Sequence, residues 1–233
     1  MKIFIIDSGI GGISLLNALK SEFPNQSYLY FADDYNHPYG KKSKKEVVEI
    51  CQNAIEYLAP KKEDILIFAC NTASTCFEEY AENYPFKILF TKPKEKYFER
   101  EKGKTLFLGT RLTCQNLDGK LGKNVILKSL DNMPEIIESG DIITIKREIF
   151  DCAEKVEKEV KNVYLGCTHF SLFSNYFEKA YVGKKILDGV KLFENEYKKE
   201  LKKLIAPNDC PETQYVCSSK SVSKLIIMGK YAK

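Results

Sequence analysis

A buried strand that ends in a thiol is the feature that most constrains what this chain can fold into. The apolar run Ile65–Ala69 leads into Cys70, and Asn71 and Thr72 follow directly. A helix-like run then extends over Ala73–Asn83. A strand that ends in polar residues and opens a helix places them at the carboxyl edge of a parallel sheet, where open α/β folds bind ligands. The stretch therefore predicts an α/β fold with Cys70 at a ligand-binding edge.

A second stretch repeats this arrangement. The run Val163–Gly166 leads into Cys167, Thr168 and His169, and a helix-like run follows over Phe170–Tyr181. Each thiol thus lies at a strand-to-helix turn beside hydroxyl and nitrogen groups. We expect the helix that follows each cysteine to lower the pKa of its thiol.

The chain contains a degenerate internal repeat that predicts its domain organisation. Each half opens with a strand that ends in small polar residues, at 7–9 and at 109–111, and later has a strand that ends in cysteine. The alternation of strands and helices indicates mostly parallel sheets. We predict an α/β protein of two pseudo-symmetric domains, each with a mostly parallel sheet flanked by helices, and an active site in the cleft between them. The charged segment Thr91–Lys104 marks the crossing, so the first domain comprises residues 1–91 plus about 206–233 and the second residues 92–205.

Individual segments outside the two cysteine stretches also have recognisable patterns. A helix is predicted over Ile142–Val160. In the tail, a strand is predicted over Gln214–Cys217 and a helix over Ser221–Lys230. His37, in a turn-rich loop, is interpreted as an ordinary exposed histidine.

Composition and charge argue against a nucleic-acid-binding or membrane-spanning protein. The 233 residues carry a net charge of +4, and the lysine runs at 41–45 and 92–104 are typical of a solvated surface. No focused basic stripe indicates nucleic-acid binding, and no apolar run approaches the roughly 20 residues of a membrane span. The apolar run Ile3–Ile6 is too short for a signal peptide, so we expect a cytoplasmic protein.

The eight cysteines form no CxxC pair, and their spacing matches neither zinc nor iron–sulfur motifs. We therefore expect free thiols and no metal site. Four cysteines are interpreted as small buried hydrophobes: Cys51, Cys76, Cys152 and Cys210.

Two thiols at corresponding sheet edges leave three chemistries open. Cys167 could be a nucleophile activated by His169. The two thiols could form a redox pair, although nothing indicates a flavin or nicotinamide site. They could also act as acid and base on opposite faces of a carbon centre, since a thiol and a thiolate exchange roles at each turnover.

The ordered motifs resemble the cofactor-independent glutamate racemases of the aspartate/glutamate racemase superfamily. The motifs that carry the resemblance are Asp7-Ser8-Gly9-Ile10-Gly11-Gly12, Pro38-Tyr39-Gly40, Ala69-Cys70-Asn71-Thr72-Ala73-Ser74, Gly109-Thr110 with Thr113, and Gly166-Cys167-Thr168-His169. The resemblance implies an isomerase that interconverts L- and D-glutamate without cofactor or metal and supplies D-glutamate for peptidoglycan. It also implies a possible homodimer.

The resemblance assigns roles to individual residues. It implies that Cys70 takes the proton from D-glutamate and Cys167 from L-glutamate, with Asp7 assisting Cys70 and His169 assisting Cys167. Glu138 resembles the second-domain glutamate of the family. The positions that match substrate-binding residues are Asp7, Ser8, Tyr39, Gly40, Asn71, Thr72, Thr113, Thr168 and His169.

Two other functions remain open at this point. One is a racemase for aspartate or another amino acid, although aspartate racemases tend to carry glutamate where this chain has His169. The other is a non-catalytic or regulatory binding protein on the same fold. The chain also departs from the family pattern before Pro38, at Thr91 and between Leu127 and Cys167.

Overall fold

The computed structural model describes residues 1–205 and 208–219. The elements of the first part are, in chain order, β1 (Ile3–Asp7), α1 (Ile13–Glu22), β2 (Tyr28–Ala32), a 3-10 turn (Tyr39–Lys41), α2 (Lys44–Leu58), β3 (Ile65–Phe68), α3 (Asn71–Phe77), a 3-10 helix (Glu78–Asn83) and β4 (Lys87–Phe90). They are followed by α4 (Lys96–Glu99), β5 (Lys104–Gly109), α5 (Arg111–Leu117), β6 (Val125–Ser129), α6 (Met133–Ser139), α7 (Ile142–Glu154), β7 (Val160–Leu165), α8 (Thr168–Ser171), α9 (Ser174–Ala180), β8 (Lys185–Asp188), α10 (Gly189–Leu204) and β9 (Thr213–Cys217).

Two parallel sheets organise these elements. The first has the strand order β4-β3-β1-β2-β9 and the second the order β6-β5-β7-β8, and every pairing in both is parallel. Read from its other edge, the second sheet has the order β8-β7-β5-β6, which repeats β4-β3-β1-β2. The predicted α/β fold with two mostly parallel sheets is confirmed, and the internal repeat corresponds to this shared strand order.

Alternation along the central strands divides the hydrophobic core. In β1, Ile3 and Ile5 belong to a core cluster shared by both sheets, whereas Phe4 and Ile6 pack in a cluster on the other face of the first sheet. In the second sheet, Leu106 joins the shared core and Phe107 packs in a third cluster on the outer face. Because successive side chains of a strand point to opposite faces, both strands are apolar on both faces, as expected for buried parallel strands.

The three longest of the described helices begin at side chains that satisfy free backbone N–H groups. Ser43 and Glu46 form a capping box at the start of α2. Asp141 caps α7, and Asp188 caps α10 through the N–H of Val190. The longest of these, α10, follows β8 of the second sheet and packs against α1, which follows β1 of the first sheet.

The structure corrects the helix predicted over Ile142–Val160. The helix ends at Glu154, and Val160 begins β7, where it pairs with Lys104 of β5. Strand pairing in the second sheet overrides the local helical pattern here. The helix-like runs after the two cysteines are also divided: the first becomes a 3-10 helix at Glu78, and the second is split into α8 and α9.

The tail strand is confirmed as β9, which pairs with β2. The helix predicted over residues 221–230 lies outside the described residues. Within the described ranges, no helix has the length and apolar character to cross a membrane.

Candidate active site

The predicted site residues lie where the strand order of each sheet reverses. In the first sheet, β1 is flanked by β2 on one side and β3 on the other, so Asp7 at the end of β1 is adjacent to Cys70 just after β3. In the second sheet, β5 and β7 are neighbours in the same way, which places Thr110 beside Cys167. Crevices of this kind at the carboxyl ends of parallel strands are the usual ligand sites of open α/β sheets.

Cys70 is a buried thiol with a hydroxyl partner. Its Sγ lies 3.6 Å from Oγ of Ser8, and the residue is only 6% exposed. Burial, and next the negative charge of Asp7, raise the pKa of the Cys70 thiol to about 12. The expectation that the following helix lowers this pKa is therefore wrong, because removal of the thiolate from water outweighs the favourable hydrogen bonds.

Asp7 links the two halves of the site. Its Oδ1 accepts a hydrogen bond from the backbone N–H of Gly9 at 3.0 Å, and its Oδ2 accepts one from the Thr168 hydroxyl at 2.9 Å. Burial raises the pKa of this carboxyl to about 6, against the lowering effects of His169 and Thr168. The charge of Asp7 thus acts on Cys70. Its hydrogen bond with Thr168 connects it to the residue that follows Cys167.

His169 connects Cys167 to Glu138. Its Nδ1 lies 3.8 Å from Sγ of Cys167, and its Nε2 lies 2.9 Å from Oε1 of Glu138. Glu138 Oε1 also accepts a hydrogen bond from the backbone N–H of Ile10 at 2.8 Å. Burial opposes the charged imidazolium, but the hydrogen bonds and charges of Cys167 and Glu138 raise the pKa of His169 to about 10.

The glycine at position 9 permits this arrangement. A Cβ at Gly9 would lie 2.1 Å from Oε1 of Glu138 and 3.2 Å from Nε2 of His169. Any side chain here would therefore displace the carboxylate from the imidazole. This contact gives a physical reason for the glycine that follows Asp7 and Ser8 in the sequence.

Three threonine hydroxyls join the two sheets on the other side of the site. The Oγ1 atoms of Thr72, Thr110 and Thr113 lie 2.9 Å from one another. Thr72 belongs to α3, whereas Thr110 caps α5 and Thr113 lies in its first turn. Thr110 was not predicted as a site residue, although a threonine before the apolar Leu112 is a helix-start signal that could have indicated its place.

Gly40 contacts this threonine cluster. A Cβ at Gly40 would lie 2.5 Å from Cβ of Thr110, so the loop before α2 approaches α5 closely. The adjacent Tyr39 side chain is buried, and its hydroxyl is already engaged because it donates to Oδ2 of Asp33 at 2.6 Å. A substrate contact by Tyr39 would therefore use its backbone.

Asn71 brings an unpaired acceptor to the site. Its side chain is 4% exposed, and its Oδ1 has no hydrogen-bond partner among the residues that the structure describes. A buried amide oxygen without a donor costs free energy. The position next to Cys70 makes this oxygen suited to a cationic N–H donor of a ligand.

The interpretation of His37 as an exposed loop histidine is wrong. The residue is half-buried, and its ring centroid lies 5.2 Å from that of His169. The loop folds inward because Tyr39 is buried and held by Asp33. Donor atoms of His37, Glu138 and His169 all lie within 4.8 Å of one another, a clustering that no spacing along the chain indicates.

The other cysteines are mostly structural. Cys51, Cys76 and Cys152 are buried as predicted, whereas Cys210 is exposed and its predicted burial is wrong. Cys70 and Cys167 are both free thiols. The charge of Cys167 is among the causes that raise the pKa of Cys70, so the two thiols lie within electrostatic reach of each other.

Comparison with known proteins identifies the family, although no family model matches the chain. The chain is 34% identical over 204 residues to glutamate racemase 2 of Bacillus subtilis, covering 78% of this chain and 74% of that protein. It is 31% identical over 212 residues to the glutamate racemase of a Clostridium perfringens strain, covering 84% and 81%. The solved structure of Francisella tularensis glutamate racemase, in complex with D-glutamate, shares the fold with a TM-score of 0.86 at 20% identity, covering 99% of this chain and 93% of that one. The chain belongs to the glutamate racemase family.

Proposed function

We propose that the protein interconverts L- and D-glutamate, with Cys70 and Cys167 as the two acid–base groups. The observation that carries this proposal is the placement of two free, buried thiols at equivalent positions of a repeated strand order. A binding protein has no need for paired thiols, whereas inversion of a carbon centre needs a base on one face and an acid on the other. The curated relatives named as glutamate racemases support the same activity.

The proton balance of the reaction is symmetrical. A thiolate at Cys167 takes the Cα proton of L-glutamate, and the Cys70 thiol gives its proton to the opposite face of the carbanion. The products are D-glutamate, a Cys167 thiol and a Cys70 thiolate. In the reverse direction Cys70 takes the proton, so each cysteine serves one enantiomer.

The neighbours of each thiol fit these roles. The raised pKa of Cys70 keeps it protonated and ready to donate. On the other side of the site, the imidazolium form of His169 donates hydrogen bonds toward Sγ of Cys167 and Oε1 of Glu138, and against the effect of burial these contacts raise the pKa of His169.

The polar groups around the thiols suit an amino acid. We propose that the ammonium group of the substrate is held by the Asp7 carboxylate and the unpaired Oδ1 of Asn71. The hydroxyls of the threonine cluster, Thr72, Thr110 and Thr113, would donate hydrogen bonds to the carboxylate groups of the substrate. This role is consistent with the position of the cluster between the two sheets. The residues proposed for binding are Asp7, Ser8, Tyr39, Gly40, Asn71, Thr72, Thr113, Thr168 and His169, together with Thr110 from the threonine cluster.

The cellular role and the organisation of the protein are proposed by analogy with the family. We propose that the protein acts in the cytoplasm, needs no cofactor, supplies D-glutamate for peptidoglycan and forms a homodimer. We also propose that residues 1–91 and about 206–233 form one domain and 92–205 the other. The pairing of β9 with β2 supports the assignment of the tail to the first domain.

The direct test is racemisation of L-glutamate, L-aspartate and L-alanine by chelator-treated protein without pyridoxal phosphate. We expect turnover of glutamate alone. The double variant Cys70→Ser/Cys167→Ser, purified in the same way, controls for contaminating racemases. Preferential turnover of aspartate would assign a different substrate, and a requirement for pyridoxal phosphate or metal would overturn the mechanism.

A further inference from the structure

We infer that His37, Glu138 and His169 form a binding site for a divalent transition-metal ion of the zinc class, and that occupation of this site suppresses racemisation. The binding itself does not depend on the proposed function, but the suppression does. The bound ion would not act as a cofactor, because it would block His169, which belongs to the proposed catalytic centre.

The three donor groups come from separate parts of the chain. His37 lies in the loop after β2, Glu138 in α6 and His169 in α8, and one donor atom from each lies within 4.8 Å of the others. Tetrahedral zinc with ligands at about 2.1 Å requires donor atoms about 3.4 Å apart. His169 Nε2 and Glu138 Oε1 are already 2.9 Å apart, so a movement of at most about 1.4 Å by the loop that carries His37 would bring its donor atom to the required separation.

The donor set selects the class of ion. Two imidazoles and one carboxylate are the protein ligands of open zinc sites, in which water takes the fourth position. Imidazole favours zinc, copper, nickel and cobalt, whereas magnesium and calcium require more oxygen ligands. The nearby Asp7 carboxyl, whose charge interacts with Glu138, adds negative potential that favours a cation.

The geometry separates this site from the thiol of Cys167. Glu138 faces Nε2 of His169, whereas Cys167 faces Nδ1 on the other edge of the same ring. An ion bound to Nε2 is therefore coordinated without a sulfur ligand. It would also replace the hydrogen bond between His169 and Glu138 and fix the imidazole that faces the thiol, which explains why racemisation should stop.

Cobalt(II) provides the test of binding, because its absorption spectrum reports both geometry and ligand type. The chelator-treated full chain is titrated with Co²⁺, and we expect visible bands of tetrahedral intensity at one equivalent, without the near-ultraviolet band of a cobalt–thiolate bond. His37→Phe keeps an aromatic ring against His169 but removes the donor nitrogens, so it should weaken binding by about 10-fold or more. His37→Asn is the second variant in case the first does not fold, and Cys210→Ser, which removes the exposed thiol, should bind like the wild type.

Inhibition provides the second arm. Zn²⁺ should suppress glutamate racemisation by the wild type, reversibly on addition of chelator, and His37→Phe should require about 10-fold more Zn²⁺ while keeping its metal-free activity. Unchanged cobalt binding by a folded His37 variant, or a cobalt–thiolate band, would overturn the site. Equal zinc sensitivity of the variant and the wild type would overturn the suppression. If the protein does not racemise glutamate, the cobalt spectra still decide whether the metal site exists.

Discussion

The two thiols occupy the same place in a repeated strand order but have different neighbours. Cys70 follows β3 and faces the hydroxyl of Ser8 and the charge of Asp7. Cys167 follows β7 and faces His169, which is held by Glu138. The repeat therefore explains why two thiols occupy equivalent positions, but it does not make them chemically equivalent.

One thiol is influenced by the charge of a carboxyl group, and the other lies beside an imidazole. Burial and Asp7 raise the pKa of the Cys70 thiol and so favour its neutral form. Variants that remove one neighbour at a time should show how much each neighbour contributes to this difference.

The largest effect is expected from removal of either thiol. Cys70→Ser and Cys167→Ser should each lower racemisation in both directions by about 10³-fold or more, because serine is a much weaker acid at the same position. Both variants should fold, since the substitution removes little volume.

Racemisation rates and circular dichroism of both variants measure this effect. Cys51→Ser is the matched control, because Cys51 is a buried thiol outside the site and reports the cost of the hydroxyl alone. A folded Cys70→Ser or Cys167→Ser protein with a near-native rate would contradict the two-thiol mechanism.

The next largest effect concerns His169, which contacts one thiol. His169→Asn should reduce abstraction of the Cα proton from L-glutamate by about 10²-fold, and abstraction from D-glutamate by less. Release of tritium from each Cα-labelled enantiomer into solvent measures the two steps separately. Equal losses for both enantiomers would show that His169 does not belong to the Cys167 side alone.

Asp7→Asn should make the protein more stable at neutral pH while it impairs activity. The folded pKa of Asp7, about 6, lies above the unfolded value of 3.8. Wild-type stability should therefore fall as pH rises between about 4 and 6, and the asparagine variant should not show this fall. The difference in unfolding free energy should reach about 3 kcal/mol above pH 6.

Urea unfolding at pH 4, 6 and 8 measures this difference. Asp141→Asn is the control, because its folded pKa is lowered by the cap of α7 and the substitution should give no gain at pH 8. A difference between Asp7→Asn and wild type that does not change with pH would exclude a buried, destabilising carboxylate.

A smaller effect is expected for Glu138, which acts through His169. Glu138→Gln should lower kcat/KM for L-glutamate by about 10-fold, near the range for partners that orient an active-site histidine. Because Glu138 raises the pKa of His169, the alkaline decline of activity should move to lower pH. An alkaline limb at the wild-type position would mean that Glu138 only fills space.

The sequence predicted the parts of this molecule that depend on local pattern. The positions of the apolar strands and of the polar residues that follow them could be predicted from the sequence, because parallel strands present their carboxyl ends at one edge of the sheet. The helix end at Glu154 was not, since the pairing of Val160 with Lys104 is a contact between distant segments. The predicted exposure of His37 was wrong for the same reason. Its burial depends on the contact between Tyr39 and Asp33, which holds the loop inward.

The protonation states were also beyond sequence reasoning. Cys70 precedes a helix, which alone would lower its pKa, but burial in the assembled core has the larger effect. The contact between His169 and Glu138 joins α8 to α6 and depends on the absence of a side chain at Gly9. Motif order indicated these residues, while only the folded chain determines their charges.

The most direct test of the two-thiol mechanism is initial-rate racemisation of L-glutamate in D₂O by the wild type. If two thiols act from opposite faces, the donor carries a solvent deuteron, so newly formed D-glutamate should contain deuterium at Cα. Recovered L-glutamate should remain protiated at low conversion. Protium retained at Cα of the D-glutamate, or early deuterium in the recovered L-glutamate, would indicate a single base and contradict the account.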